Sequence, residues 1–222
     1  MVFQGGVSRE LFDPPEKLAE PELCQPRDRK KGSKTCQVGL RKREDARIGY
    51  SFGVISDGRR ELGSPDFRLR EITPGDSQNL YRWRMDATSR PMFRSNEPVS
   101  PEKHAALLSR YFAPDNGDRW FIIEARETPV GAIVLHAPSR GEAEWGRLVI
   151  SPEARGRGYG RRALTLLIEH ARQLGLSRLR CEVLAGNAAA EAIYGELGFR
   201  ETGREEVDGR TFRRLSLELG RA

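Results

Sequence analysis

The sequence predicts a mixed α/β fold with a mostly antiparallel, twisted sheet, one central βαβ crossover and flanking helices. From about residue 65 onwards, short runs of branched and aromatic residues alternate with segments of helical periodicity. Asp208-Gly209 and similar turn residues join consecutive strands as hairpins. One helical segment connects the strands at Glu142–Ile150 and Arg178–Leu184, which indicates a crossover.

The predicted elements follow the order βααβββαβαββ. The second helix has a capping serine, Ser100, and a proline at its first position, Pro101. Gly175 and Gly198 end the two later helices. The predicted elements are strand Phe67–Ile72, helix Asp76–Met85, helix Pro101–Phe112, strands Trp120–Ala125, Val130–His136 and Glu142–Ile150, helix Gly158–Leu174, strand Arg178–Leu184, helix Asn187–Leu197, and strands Phe199–Glu206 and Thr211–Leu219.

The length of 222 residues suggests one domain, or one domain with an appendage. Residues 1–63 contain Pro14-Pro15 and few sustained apolar patterns, which predicts a poorly ordered N-terminal extension, in which the run Ile48–Ile55 could form one strand. Residues 64–222 are predicted to form the folded domain. The first residues lack the pattern of a signal peptide and no apolar run is long enough to span a membrane, so we expect a cytoplasmic location.

Composition argues against several classes of site and partner. The three cysteines, Cys24, Cys36 and Cys181, have neither disulfide-framework nor zinc-site spacing, and no clustered histidines accompany them. The net charge of +6 comes from interleaved acidic and basic residues without an aromatic-studded basic stripe. We therefore expect no metal, no nucleic acid and no membrane as partners, and the choice between a monomer and a homodimer stays open.

A basic loop with regularly spaced glycines follows the strand that ends at Ile150 and breaks at Pro152. Glycines accept positive φ and lack a Cβ, so successive backbone N–H groups can converge on a phosphate. The stretch Gly158-Tyr-Gly160-Arg-Arg-Ala163 also fits the G-x-G-x-x-A pattern of dinucleotide-binding folds, but the flanking hairpins argue against their doubly wound sheet. The loop residues are Arg155, Gly156, Arg157, Gly158, Tyr159, Gly160, Arg161 and Arg162.

A second motif, Asn187-Ala-Ala-Ala-Glu-Ala-Ile-Tyr194-Gly-Glu-Leu-Gly198-Phe199, follows the loop. Together the two motifs resemble the GNAT superfamily of acetyl-CoA-dependent N-acetyltransferases over about residues 66–219. The resemblance implies acetyl-CoA (coenzyme A) as the cofactor, with its pyrophosphate on the loop amides and helix start and its pantetheine along the preceding strand. The cofactor-binding residues implied in this way are Leu148, Val149, Ile150, Arg155, Gly156, Arg157, Gly158, Tyr159, Gly160, Arg161, Asn187 and Tyr194.

The same resemblance implies catalytic residues. Tyr194 takes the position of the acid that protonates the departing thiolate, and Glu144 that of the base, with Glu182 as a second candidate. On a regular strand Glu144 shares a face with Leu148 and Ile150. By position, a bulge or splay near Leu148 leaves its N–H to polarise the thioester carbonyl. A weakly basic acceptor amine needs little help, and a water relay then replaces the base.

The segment between the first strand and the first hairpin resembles amino-sugar N-acetyltransferases that act on nucleotide-linked 4-amino sugars. The resemblance rests on Trp83-Arg84, on Phe93-Arg94, and on the pattern S-x-E-K-H from Ser100 to His104. Two arginines are suited to phosphate, and aromatic rings to stacking on a base or sugar. Protein α-amines or lysines, and a non-catalytic nucleotide-binding module, stay open as alternatives. The substrate-binding residues expected are Arg84, Phe93, Arg94, His104 and Glu182.

Overall fold

The computed structural model describes residues 2–3, 51–54 and 60–220. Every strand and helix predicted from Phe67 onwards is present, with ends that differ by at most a few residues. The strands are β1 (Val2–Phe3), β2 (Ser51–Val54), β3 (Arg60–Ser64), β4 (Phe67–Glu71), β5 (Arg119–Ala125), β6 (Thr128–Leu135), β7 (Glu142–Ile150), β8 (Arg178–Leu184), β9 (Arg200–Val207) and β10 (Arg210–Glu218). The helices are α1 (Ser77–Met85), α2 (Pro101–Tyr111), α3 (Tyr159–Gln173) and α4 (Ala188–Glu196).

The strands form one sheet in the order β2-β3-β4-β5-β6-β7-β8-β10-β9. Neighbouring strands on this path are antiparallel, except for β7 and β8, which are parallel and are connected through α3. β1 lies outside the path and pairs with β7. The predicted mostly antiparallel sheet around one βαβ crossover is therefore confirmed.

Two hairpins turn on residues in the left-handed region. Asp208 and Gly209, with φ of 50° and 70°, connect β9 to β10 at the predicted place. Arg126 and Glu127, with φ of 49° and 62°, connect β5 to β6. A two-residue hairpin loop needs positive φ at both central residues when its twist matches that of the strands.

Three strands, β1, β2 and β3, lie before Phe67, almost entirely in the part of the chain predicted to be an extension. β2 falls within Ile48–Ile55, where the sequence predicts one strand. β3 has no strand pattern in its sequence, and its pairing with β4 places Leu62 opposite Leu69 in the core. The prediction of poor order over most of residues 1–63 lies outside the described residues, so the boundary at residue 64 stays a prediction.

The sheet buries apolar side chains on both faces. On one face the cluster contains Trp83 from α1 and Leu108 from α2, and on the other it contains Trp145 together with residues of α3 and α4. Trp83 and Trp145 are both completely buried. Burial of this apolar surface is the main favourable contribution to folding. Within the described ranges, no helix combines the length and apolar character that a membrane crossing requires.

Candidate active site

The glycine loop lies between the end of β7 and the start of α3 and is exposed at its tip. Gly156 and Gly158 have φ of 76° and 74°, and a Cβ built on either meets no heavy atom within 4 Å. The first hydrogen bond of α3 runs from the Arg162 N–H to the Gly158 carbonyl (3.2 Å). The N–H groups before Arg162 therefore have no acceptor within the helix and are positioned for an anion.

The arginines of this loop differ in their contacts. Arg155 donates to the Asp86 carboxylate (Nη2–Oδ1 2.9 Å) and to the hydroxyl of Ser89, so its side chain ties the loop to the end of α1. Arg161 forms an exposed ion pair with Glu196 (3.2 Å). Arg157 is exposed at the tip. The Arg155 side chain is thus already paired with Asp86, and the assignment of this residue to cofactor binding stays a prediction.

β7 contains a bulge at Arg147, whose φ is 50°. Gly146 pairs with Val134 of β6 and Val149 with Ala132, so two residues of β7 lie opposite one residue of β6. The bulge reverses the alternation of side chains along the strand. The expectation that Glu144 shares a face with Leu148 and Ile150 is therefore wrong. Leu148 and Ile150 pack in the cluster that contains α3, whereas Val149 packs on the opposite face.

β7 and β8 separate beyond the first part of their pairing. Their parallel register runs from Glu142 opposite Arg178 to Glu144 opposite Arg180, and β7 continues six residues further, to Ile150. Along this continuation the backbone of Val2–Phe3 pairs with Leu148 and Val149. The structure thus has both the bulge and the splay near Leu148.

Two carboxylates that face each other across β7 and β8 have different surroundings. Burial, and then the negative charge of Glu182, raise the pKa of Glu144 to about 7, although three arginines oppose the shift. Glu182 accepts hydrogen bonds from Arg94 (2.5 Å) and Arg214 (3.4 Å). Arg94 also donates to Glu205 (2.7 Å). Arg94 and Glu182 are thus already paired in an ion-pair cluster, and their assignment to the acceptor stays a prediction.

Tyr194 lies on α4 and is almost completely buried, at 1% exposure. Its ring packs edge-on against Trp145 (5.4 Å between centroids) and at a tilt against Phe199 (5.6 Å). Burial raises the pKa of Tyr194 well above its ordinary value, so the phenol keeps its proton at neutral pH. Asn187 caps the same helix by accepting from the Ala190 N–H (3.4 Å).

A cavity that opens to solvent lies beside the bulge, between the sheet and the two helices α1 and α2. Arg84, Phe93 and His104, three of the five predicted substrate residues, line it. His104 Nε2 lies 3.0 Å from the Ser77 carbonyl, and burial lowers its pKa, which favours a neutral ring that donates from Nε2. The lining residues are Leu80, Arg84, Phe93, His104, Leu107, Trp120, Ala132, Val134, Arg147 and Val149.

Arg147 is the charged cavity residue that the sequence analysis does not predict. Its signal is a single arginine inside the otherwise apolar end of β7. Regular alternation would place its side chain on the same face as Leu179 and Ala163 of the other cluster, where a charge is unfavourable. The bulge directs it instead into the cavity, where its guanidinium lies over the Trp120 ring (5.3 Å).

Comparison with known families decides between the interpretations of the glycine loop. A family model described as an acetyltransferase (GNAT) domain matches residues 66–200, more than half of the chain. The chain belongs to the GNAT acetyltransferase family. Members of this family are acyltransferases that use acetyl-CoA, so the dinucleotide interpretation of the loop is excluded.

Several GNAT relatives are similar in sequence. The chain is 27% identical over 157 residues to the uncharacterized N-acetyltransferase YobR of Bacillus subtilis, which covers 66% of this chain and 62% of the relative. It is 35% identical over 101 residues to the peptidyl-lysine N-acetyltransferase YjaB of Escherichia coli, covering 46% and 61%. The ribosomal protein bS18-alanine N-acetyltransferase of Escherichia coli is 32% identical over 105 residues, covering 46% and 71%. The chain thus spans about three fifths of the length of the first two relatives.

A solved GNAT structure has the same fold. The spermidine N-acetyltransferase from Vibrio cholerae in complex with CoA and spermine superposes with a TM-score of 0.63, at 21% identity, over 70% of this chain and 97% of that chain. At this identity the likeness concerns the fold. The open sheet with its parallel pair β7 and β8 is thus the GNAT arrangement.

Proposed function

We propose that the protein transfers an acetyl group from acetyl-CoA to the primary amine of a small molecule, by direct attack of the amine in a ternary complex. The observation that carries this proposal is the construction of β7. Its C-terminal end leads into the open glycine loop, and its bulge directs Arg147 into the cavity. A donor on the loop and an acceptor in the cavity therefore approach the same three residues, Leu148–Ile150.

The loop amides would bind the pyrophosphate of coenzyme A, because the N–H groups before Arg162 have no acceptor in the helix and the dipole of α3 favours a negative charge there. Arg157 adds positive charge at the exposed mouth, where the exposed ion pair of Arg161 with Glu196 also lies. The freed edge of β7 would pair with the pantetheine amides as a further strand does, and Asn187 would contact them at the start of α4. When bound, acetyl-CoA supplies the thioester acetyl group.

Replacing Gly158 with aspartate is expected to weaken acetyl-CoA binding at least tenfold, as measured by calorimetry. The substitution adds a negative charge beside the proposed pyrophosphate site at a residue whose φ is 74°. Gly209→Asp is the matched control, because Gly209 has a φ of 70° and open space around its Cβ but lies in the final hairpin. The control should bind acetyl-CoA as the wild type does, and equal affinity of the Gly158 variant would contradict the assignment.

β1 and the pantetheine would use the same edge of β7, because Val2–Phe3 pairs with Leu148 and Val149. Replacing both residues of β1 with proline removes their N–H donors. We expect the apparent Kd for acetyl-CoA to fall a few-fold in this variant, because the binding-competent fraction rises. ADP lacks the pantetheine arm and is the control ligand: its affinity should not change. An unchanged affinity for acetyl-CoA would show that β1 does not compete.

The proton transfers are assigned to one residue on each face of the sheet. Glu144, with its pKa near 7, is ionised often enough at neutral pH to accept the proton that the attacking amine loses, directly or through water. Tyr194, which stays protonated, would donate its hydroxyl proton to the sulfur as the carbon–sulfur bond breaks. The Leu148 N–H next to the bulge would stabilise the negative charge that develops on the carbonyl oxygen.

The identity of the acceptor amine is less constrained by the observations than the identity of the cofactor. Apolar and aromatic side chains form most of the cavity lining, which suits a small molecule, and its two arginines disfavour a polycation. A nucleotide-linked amino sugar, suggested by resemblance, is one candidate whose anionic part would suit these arginines. The second candidate is a protein amine, favoured by the 35% and 32% identity to enzymes named for peptidyl-lysine and ribosomal-protein alanine.

A panel of amines incubated with acetyl-CoA, with released thiol as the readout, tests the proposed function. The panel contains amino acids, amino sugars and their phosphates, a nucleotide-linked amino sugar, polyamines, and peptides with a free α-amine or lysine. Thiol release with small amines and not with peptides supports the proposal. Release with peptides alone would favour the protein acetyltransferase, and tight acetyl-CoA binding without release would favour a non-catalytic module.

A further inference from the structure

Two arginines of the cavity lack the partners that other arginines of this protein have. Arg70, Arg94 and Arg155 are partly buried, and each forms an ion pair with a carboxylate. Within the described residues no ion pair involves Arg84 or Arg147. Their guanidinium groups instead lie over the rings of Phe93 (4.3 Å) and Trp120 (5.3 Å).

Part of the hydrogen-bonding capacity of this pair is unused. Arg84 donates from Nη2 to the Ser95 carbonyl (2.5 Å), but its buried Nη1 has no acceptor among the residues that the structure describes. The buried Nε of Arg147 likewise has no acceptor in this part of the chain. A buried donor without a partner is unfavourable, and in native proteins a ligand or an ordered water usually completes it.

The electrostatics of the cavity are equally incomplete. Burial lowers the pKa of each of these two arginines to about 10, and the positive charge of Arg147 contributes to the shift of Arg84. Both remain protonated at neutral pH. The carboxylate that acts on Arg147 is Asp118, which already accepts hydrogen bonds from the Ala137 N–H (2.9 Å) and lies 3.1 Å from His136 Nδ1. Two like charges thus face a mostly apolar cavity, and no carboxylate among the described residues forms an ion pair with either of them.

We infer that the acceptor of this enzyme is an anionic amine, and that Arg84 and Arg147 bind its carboxylate or phosphate group while Phe93 and Trp120 pack against its apolar part. This inference rests on the proposed function, since it names the class of the amine that the cavity takes. Planar guanidinium groups suit both oxyanions, because each presents parallel N–H donors. A carboxylate and a phosphate share this chemistry, and the experiment separates them.

Binding is measured first, with saturating coenzyme A present so that the glycine loop is filled. The probes are 3-phenylpropionate, its uncharged analogue 3-phenylpropanol, and inorganic phosphate, each titrated calorimetrically. We expect at least one of the two anions to bind, and Arg84→Met and Arg147→Met each to weaken that binding tenfold or more. Arg147→Lys should retain part of it, because it keeps the charge. 3-Phenylpropanol should bind weakly and equally to all variants.

Arg204→Met is the matched control, because Arg204 is 64% exposed and lies on β9, outside the cavity. It removes the same charge and should leave anion binding unchanged. Coenzyme A affinity and the circular dichroism spectrum of each variant report whether the fold is retained. Arg84→Met preserves the backbone of the bulge, so it tests the inference even where Arg147→Met unfolds. Failure of both anions to bind, or equal binding by the Arg84 variant, overturns the inference.

Turnover separates this inference from the proposed function. With acetyl-CoA, the pairs phenylalanine and 2-phenylethylamine, and phosphoethanolamine and ethanolamine, differ only in the anionic group. We expect the anionic member of at least one pair to have at least a tenfold higher kcat/KM, with the preference lost in Arg84→Met. Acetylation only of the members that lack the anionic group overturns the anionic acceptor but keeps acetyl transfer. Arginine-dependent anion binding without acetylation of any amine overturns acetyl transfer and supports the anion site.

Discussion

Replacing Tyr194 with phenylalanine is expected to lower kcat by about 10²-fold or more, the usual range for a lost general acid. The affinity for acetyl-CoA should change little. The ring keeps its contacts with Trp145 and Phe199, so the variant removes the hydroxyl and leaves the packing. Steady-state kinetics with acetyl-CoA and the best amine of the panel, together with a calorimetric Kd, provide the measurement.

Tyr111→Phe is the matched control for this experiment. Tyr111 is half-buried on α2, and its hydroxyl has only a long contact with the Trp120 N–H (3.5 Å). Its loss should leave kcat within about twofold of the wild type, since surface and near-surface changes away from the chemistry have small effects. Unchanged turnover in the Tyr194 variant would remove Tyr194 from the role of acid and leave protonation of the thiolate to solvent.

Replacing Glu144 with glutamine is expected to lower kcat/KM about 10²-fold at pH 8 and to remove its rise with pH near 7. The direction in which kcat/KM changes with pH follows from the role of the carboxylate as a base. A base acts in its ionised form, and burial together with Glu182 raises the pKa of Glu144 to about 7. The wild-type profile should therefore increase through pH 7 and level off above it. A retained rise in the glutamine variant would assign it to the acceptor amine or to another group.

Two carboxylates provide contrasting variants for the pH profile. The charge of Glu182 contributes to the raised pKa of Glu144, so Glu182→Gln should move the midpoint to lower pH. Glu218→Gln is the control, because Glu218 lies on β10, is 66% exposed and pairs with Arg178 (2.5 Å). It should leave the midpoint in place. An unmoved midpoint in the Glu182 variant would contradict the electrostatic coupling.

The raised pKa of Glu144 also predicts that ionisation of this carboxyl group destabilises the folded protein. Glu144 titrates in the folded protein above its ordinary range, so folding favours its neutral form, and wild-type stability falls as pH rises through about 7. Glutamine cannot ionise. The Tm of Glu144→Gln should therefore exceed that of the wild type by more at pH 8 than at pH 5. A carboxylate that is kept buried for activity is expected to lower stability in this way.

Local sequence patterns were sufficient to predict the order of the elements and the part of the candidate site that contains the glycine loop and Tyr194. Strand and helix periods, capping residues and glycine stops act over a few residues, so the elements from Phe67 onwards follow from them. The glycine loop is equally local, because positive φ at Gly156 and Gly158 depends on residue type. Tyr194 follows from its place in a helix whose cap, Asn187, is visible in the sequence.

By itself, then, the sequence determined the βαβ crossover, the glycine loop and the position of Tyr194. Only the tertiary structure decided which side chains line the cavity proposed for the acceptor. The bulge at Arg147 depends on the register between β7 and β6. Because of this bulge, Glu144 and Leu148 lie on opposite faces of the sheet and the Arg147 side chain lines the cavity. Arg94 meets its carboxylates across 88 and 111 residues of chain, so no short pattern reveals that it is neutralised. Strand register and ion pairing between distant segments are set by packing of the whole sheet, which local periodicity does not contain.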